Sequence, residues 1–204
     1  MLTREFVGQT AGQNWHYVYR GHVGVEFMWH YHPEFELTLT RQANGVRYVG
    51  GDVAHFGELD LMLVGPNQAH TWQATPRADG RLQQVQVIFF TGEWIEQLAA
   101  AGLPELSGFA QWLRGAQNGV EFSRTCANRM LKHFDRLDAA RGPKRLGCLL
   151  EILDELARDD LAGHRFEAGG RLDFDIGQQA VLPAQRGGGG QGRDALATTG
   201  IERH

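Results

Sequence analysis

Between Trp29 and Leu39 the chain sorts its side chains by parity. Trp29, Tyr31, Phe35, Leu37 and Leu39 take one parity, and His30, His32 and Glu36 take the other. Successive side chains of an extended chain point to opposite faces, so the segment reads as a strand with an apolar side and a side carrying imidazoles and a carboxylate. Pro33 cannot donate to a strand ladder and therefore bulges or ends the strand. That loosens the parity between His32 and Glu36 and leaves Glu34 as a rival carboxylate.

The alternation lies in a zone, 15–90, rich in aromatic and β-branched residues and punctuated by Gly, Pro, Asn and Asp. Strands are expected over 16–19, 26–32, 35–40, 46–49, 61–64, 70–73 and 84–90, with Asn44-Gly45 and Gly50-Gly51-Asp52 as turns. Short strands at this spacing make an all-β sandwich or barrel. From 92 to 161 the texture turns helical, with short helices over 94–101 and 104–116. Two longer stripes follow: Ala127, Met130, Leu131, Phe134 and Leu137, then Leu146, Leu149, Leu150, Leu153, Leu156 and Ala157. The breaker Ala139-Ala140-Arg141-Gly142-Pro143 folds them into an antiparallel hairpin. Its apolar width exceeds what one packing contact would cover, so part of it is expected to face a second subunit. From 163 to 204 no periodicity is sustained. The glycine run 187–190 lacks the Lys-Ser/Thr of a phosphate loop, and an unfolded tail is expected there.

Charge narrows the function. The 20 Lys and Arg against 24 Asp and Glu give a formal net charge of −4, which excludes coating nucleic acid or an anionic membrane by bulk charge. Cys126 and Cys148 are too few for a disulfide framework and are expected to pack as small apolar residues in a reducing compartment. The first six residues lack the apolar core of a signal peptide, and no run reaches the ~18 apolar residues of a membrane span, so a cytoplasmic protein without membrane contact is expected.

The parity of His30, His32 and Glu36 carries chemistry. Imidazoles and a carboxylate converging on one point suit a borderline divalent transition metal: zinc, iron, manganese or nickel. A further ligand should come from another strand, and His70, after the turn Gly65-Pro66-Asn67-Gln68-Ala69, is the candidate. His16, His22 and His55 read as surface or hydrogen-bonded histidines. Arg47 reads as an exposed strand-end charge or as a contact to an anionic effector.

Gly24, five residues, His30-x-His32, three residues and Glu36 together resemble the first motif of the cupin superfamily, and Pro66 followed by His70 resembles the second. The wider wording is similar to the N-terminal effector domain of AraC-type transcriptional regulators. It runs through His-Tyr-His-Pro-Glu-Phe-Glu-Leu, Gly45-Val46-Arg47-Tyr48-Val49-Gly50 and the stretch from Asp60 to Trp72. The likeness continues through Pro104-Glu105-Leu106, Asn118-Gly119-Val120-Glu121-Phe122 and Leu149-Leu150-Glu151-Ile152-Leu153, so that it covers roughly 10–162. It implies a mainly β chain: a cupin-like double-stranded β-helix, or jelly-roll barrel, over 10–92, then an α-helical dimerisation segment over 93–162. It further implies a homodimer that senses a small-molecule effector, a sugar among the candidate classes, without catalysis. Met28, Arg47 and Trp72 are the expected effector-pocket residues, and His30, His32, Glu36 and His70 the expected metal ligands. The alternative is a metal-dependent cupin enzyme, an isomerase or oxygenase.

The sequence departs from the family's wording in places. Leu59 stands where a glycine usually precedes Asp60, and Gln68-Ala69 replaces an apolar-proline pair. Nothing after 163 resembles the family's helix-turn-helix pair, so DNA contact is expected only through units not seen in this chain, and a truncation or frame change near 171–176 is expected. The chain should therefore show no sequence-specific DNA binding. At about 150 mM salt the counterion-release gain of an acidic chain is small, and a sequence-dependent response in an anisotropy titration would contradict this.

Overall fold

In the computed structural model, which describes residues 1–7, 13–159 and 164–165, the aromatic and β-branched zone is built of strands. In chain order these are β1 (Thr3–Arg4), β2 (Trp15–His22), β3 (His30–Tyr31), β4 (Phe35–Arg41), β5 (Gly45–Val49), β6 (Asp52–Phe56), β7 (Leu59–Val64), β8 (His70–Ala74) and β9 (Gln83–Phe90). Their pairing is nested: β5 with β6, β4 with β7, β3 with β8 and β2 with β9, all antiparallel. The cross-pairs β5–β8 and β4–β9 gather alternate members of the nest into separate sheets. The first sheet runs β1-β3-β8-β5-β6. The second, with β10 (Val120–Glu121) and β11 (His164–Arg165), runs β11-β10-β7-β4-β9-β2. Nested antiparallel pairs dealt alternately to two sheets are the connectivity of a jelly roll. The chain is mainly β with this jelly-roll connectivity, and among the described residues the sheets meet as a sandwich and not as the closed barrel expected.

Strand β4 shows why the layers form. Phe35, Leu37 and Leu39 are fully buried on one side, in a core with Leu61 and Leu63 of β7 and Ile88 and Phe90 of β9. Glu36, Thr38 and Thr40 are buried on the other side, in the wall of a cavity between the sheets. A strand buried on both faces needs a cover on each. The first sheet covers the polar face, and the helices cover the apolar one.

The helices are α1 (Gly92–Ala100), α2 (Ser107–Gly115), α3 (Arg124–Ala139) and α4 (Pro143–Arg158). Thr91 and Ser123 cap α1 and α3, their hydroxyls accepting from the amides of Trp94 and Cys126, as small oxygen-bearing residues do at helix starts. Gly142 holds φ at 58° and Pro143 opens α4, which makes the sharp turn of the hairpin. Both cysteines are free and buried; burial and the neighbouring Asp159 push the Cys126 thiol up to about 12, so it is inert.

Some expectations do not hold. The strand expected over 26–32 is reduced to β3, preceded by a single bridge from Val25 to Ala74. The amide of Met28 donates to the Thr71 hydroxyl at 3.0 Å, a side-chain bond that replaces a ladder partner. Asp52, read as part of a turn, begins β6, because Gly50 at φ 56° completes the reversal early. Strands β1, β10 and β11 span two residues each, too short to show a period. Strand β11 falls inside the stretch expected to be an unfolded tail; the rest of that stretch, with its glycine run, lies outside the described residues.

Most of the apolar stripe expected to reach a second subunit is covered within the chain, while Leu131, Leu150 and Ala157 are half-buried. Met130, Phe134, Leu137, Leu149, Ile152, Leu153 and Leu156 are all buried within the chain, against the second sheet and one another. Among the described residues of the hairpin, Leu146 is the exposed large apolar side chain. No helix among them is long and apolar enough to cross a membrane.

Leu149→Glu or Leu153→Glu should therefore unfold the chain and not release monomers. An uncompensated charge in such a site costs about 3–5 kcal/mol, to be read as a fall in the urea midpoint. A variant with an unchanged midpoint and an altered oligomeric state would place these leucines at a partner surface instead.

Candidate metal centre

The nest of strands brings distant residues to one point. His30 on β3 lies directly across the ladder from His70 on β8, their rings 4.3 Å apart. His32 follows at the end of β3, where Pro33 stops the ladder, and Glu36 enters from β4 in the facing sheet. The loop that delivers His70 is fastened on both sides. The amide of Asn67, at φ 58°, donates to the His32 carbonyl at 2.7 Å, and the amide of Gly50 donates to the Ala69 carbonyl at 2.7 Å. A Cβ at Gly65 would strike the Gln117 carbonyl, so only glycine fits where this loop begins. Gln68-Ala69, the departure from the family wording, leaves His70 in place. The Gln68 carbonyl is in fact the partner of its Nδ1.

All three histidines are tied the same way. Nδ1 of His30 donates to the Met28 carbonyl at 2.7 Å, that of His32 to the Glu34 carbonyl at 3.2 Å, and that of His70 to the Gln68 carbonyl at 2.7 Å. A carbonyl only accepts, so each Nδ1 carries a proton and Nε2 is the atom that each ring turns toward the cluster. The Nε2 atoms of His32 and His70 lie 3.0 Å and 3.2 Å from the same Glu36 oxygen, while the other Glu36 oxygen accepts from the Thr38 hydroxyl. The Nε2 of His30 lies 3.1 Å from a carboxylate oxygen of Glu5.

One ligand atom from each of His30, His32, Glu36 and His70 lies within 4.8 Å of all the others. Ligands around an ion with bonds of ~2.1 Å stand at most about 4.2 Å apart, so a contraction of side chains alone would seat the metal. The donor set fits. These residues would hold a divalent ion, which would supply a Lewis acid at the cavity wall. Carbonyl bonds to the far ring nitrogens are the outer-shell support that fixes a ligating imidazole.

Charge is arranged to match. Burial pushes the Glu36 carboxyl up, but the charge of His70 and the hydrogen bonds from His32 and His70 outweigh it and hold it well below its ordinary 4.5. Burial pushes His70 down, but the Glu36 carboxylate and the Gln68 carbonyl outweigh it and hold it above 6.5. For His30, burial and the charge of His70 together lower it. The contribution of His70 to metal-free stability is full below 6.5 and is lost as pH rises through its raised value. That of Glu36 is present above 4.5 and is lost as pH falls through its depressed value, so the pair stabilises most between 4.5 and 6.5.

Beside the cluster lies a cavity of about 130 Å³, with Glu36, His30, Met28, Thr38, Thr71 and Trp72 in its wall. Of the expected pocket residues, Met28 and Trp72 are there and Arg47 is not. Arg47 is 1% exposed and paired with Asp60 at 2.6 Å and Glu121 at 3.0 Å. Strand β5 lies between β6 and β8, which makes Arg47 an interior residue and not a strand-end charge. Glu34 is buried on the Nδ1 side of His32, 3.6 Å from that atom, and lies outside the cluster. His22 and Glu26 line the cavity without having been singled out as pocket residues, and Glu5 reaches His30 with no motif to announce it.

No family model matches the chain, and no curated protein matches it. Among solved structures the chain is similar to a cupin 2 conserved barrel domain protein from Rhodopseudomonas palustris, at 14% identity and a TM-score of 0.32. The match takes in 41% of this chain and spans 57% of that neighbour's length.

Metal affinity should rise with pH through the raised value of His70, because the ion must displace its proton, and His30→Ala and His32→Ala should each abolish stoichiometric binding. Elemental analysis of protein purified without chelators, loaded with Zn²⁺ or Mn²⁺ at several pH values, checks both. Loss of metal in Glu34→Ala but not in Glu36→Ala would exchange the carboxylate assignment.

Proposed function

We propose that this chain is the ligand-sensing part of a cytoplasmic AraC-type transcriptional regulator, a metal-bearing jelly roll that takes a small-molecule effector between its sheets. The observation that supports this most is the double use of β4. Its Glu36, Thr38 and Thr40 border the cavity, while Phe35, Leu37 and Leu39 form the floor on which the helices sit. Arg41, at the end of the same strand, pairs with Asp135 at 2.8 Å and donates to the Leu131 carbonyl on α3. An occupant that shifts β4 therefore acts on the helical hairpin directly, which is the differential contact an allosteric sensor needs. DNA contact belongs to helix-turn-helix units, which the resemblance places after the hairpin. A homodimer, expected from the same resemblance, would form on the outer rim around Leu146.

The cavity wall is mainly apolar and suits an uncharged ligand, and a sugar is the class that the resemblance suggests. Glu26 and Glu36 disfavour an anion, and Thr38, Thr40 and Thr71 offer hydroxyls. The Trp72 ring borders the cavity, and its indole N–H is buried with no hydrogen-bond partner among the described residues. A buried donor without a partner is costly, and a ligand oxygen would satisfy it.

Isothermal titration of free aldoses into the Zn²⁺-loaded chain should find at least one that binds and is recovered unchanged. Trp72→Phe, which keeps the ring and loses the donor, should weaken that binding about tenfold. Conversion of the sugar would favour an isomerase or oxygenase, and equal binding by Trp72→Phe would remove the indole from the site.

A further inference from the structure

Strand β1 is held by little that is apolar. It is two residues long, pairs in parallel with β3, and rests on backbone bonds from Thr3 to the Trp29 carbonyl at 3.0 Å and from Glu5 to the Tyr31 carbonyl at 2.9 Å. Leu2 and Phe6, on either side, are 48% and 82% exposed. What reaches inward is the carboxylate of Glu5, 3.1 Å from Nε2 of His30.

The Nδ1 proton of His30 is committed to the Met28 carbonyl, so Nε2, the atom that would ligate the metal, is the one that faces Glu5. The Glu5 carboxylate therefore stands directly beside a ligating atom. Around a divalent ion with bonds of ~2.0–2.2 Å, adjacent ligand atoms stand about 2.9–3.6 Å apart, and the Glu5–His30 spacing of 3.1 Å falls in that range.

We propose that Glu5 is an additional ligand of the metal centre, supplied by the N-terminal strand, so that binding of a divalent ion fastens β1 against β3. The inference rests on the metal reading of His30, His32, Glu36 and His70. With those ligands the ion has a second carboxylate, which favours a doubly charged ion over a singly charged one and raises the coordination number above the tetrahedral four. In this arrangement the metal is the main support of a strand that backbone bonds alone hold weakly.

The test uses the full chain with Zn²⁺ as probe and two readouts: affinity by chelator competition, and hydrogen exchange of the Thr3 and Glu5 amides with and without metal. In the wild type, Zn²⁺ should slow exchange of both amides. Glu5→Gln, nearly the same size, should lower affinity about tenfold or more and leave the exchange of the Thr3 amide and that of residue 5 indifferent to Zn²⁺. If Glu5→Gln binds as tightly as the wild type while His32→Ala binds nothing, the centre stands and Glu5 is no ligand. If the wild type itself takes up no Zn²⁺ or Mn²⁺, the metal reading falls and this inference falls with it.

Discussion

Glu36 carries a carboxylate into the space between two sheets, where it is 5% exposed. A charge taken out of water costs several kcal/mol even after relaxation, and it persists there only if opposite charge and hydrogen bonds arrive with it. His70 supplies both and His32 a further hydrogen bond, from the opposite sheet. The contact is therefore more than a candidate ligand set. It obliges β3 and β8 to sit over β4, and it fixes which face of each sheet turns inward. Arg47 repeats the device in reverse, reaching from the first sheet to Asp60 and Glu121 of the second. Between these ion clusters the apolar core is small, built around Val49, Phe56, Met62, Val64 and Trp72. The sandwich is joined by paired charge as much as by oil.

The larger apolar core lies on the other side of β4, β7 and β9, under the helices. The same three strands thus divide a polar interior from an apolar one. Each face follows from a side-chain period of two along the strand, and each would be uncovered if a register slipped by one residue. Arg145 lies over the rings of Trp15 and Tyr17 at 5.4 Å and 5.5 Å, which secures the start of α4 to β2, the edge strand of that sheet.

Parity made much of this visible in the amino-acid order. The alternation from Phe35 to Thr40 announced β4 and both of its faces, and the stripes of α3 and α4 were plain because their spacing is long and regular. His30, His32, Glu36 and His70 could be grouped from parity and a turn signal, and the structure brings them together. Elsewhere the signal was local and the cause was not. Arg47 looks the same in sequence whether it ends a strand or is flanked by β6 and β8. The widened stripe at Leu149 and Ile152 looked like a partner surface because the area of sheet waiting beneath it is a tertiary fact. Glu5 reaches its histidine through a pairing of two residues, too few to leave a pattern.

The nested pairing has a kinetic consequence. The pair β5–β6 closes across a tight turn, while each pair further out closes a longer loop and loses more chain entropy in doing so. The natural order of assembly is a zipper running outward from Gly50, with non-local contacts forming last and slowly. His30 meets His70 in the β3–β8 pair, near the outer end of that zipper. A chain halted part-way holds finished hairpins but no gathered imidazoles. Binding at the cluster would thus reward a roll closed as far as the β3–β8 pair and no shorter intermediate, and the centre would serve as a clasp fastened late in the nest, inside the outermost β2–β9 pair alone.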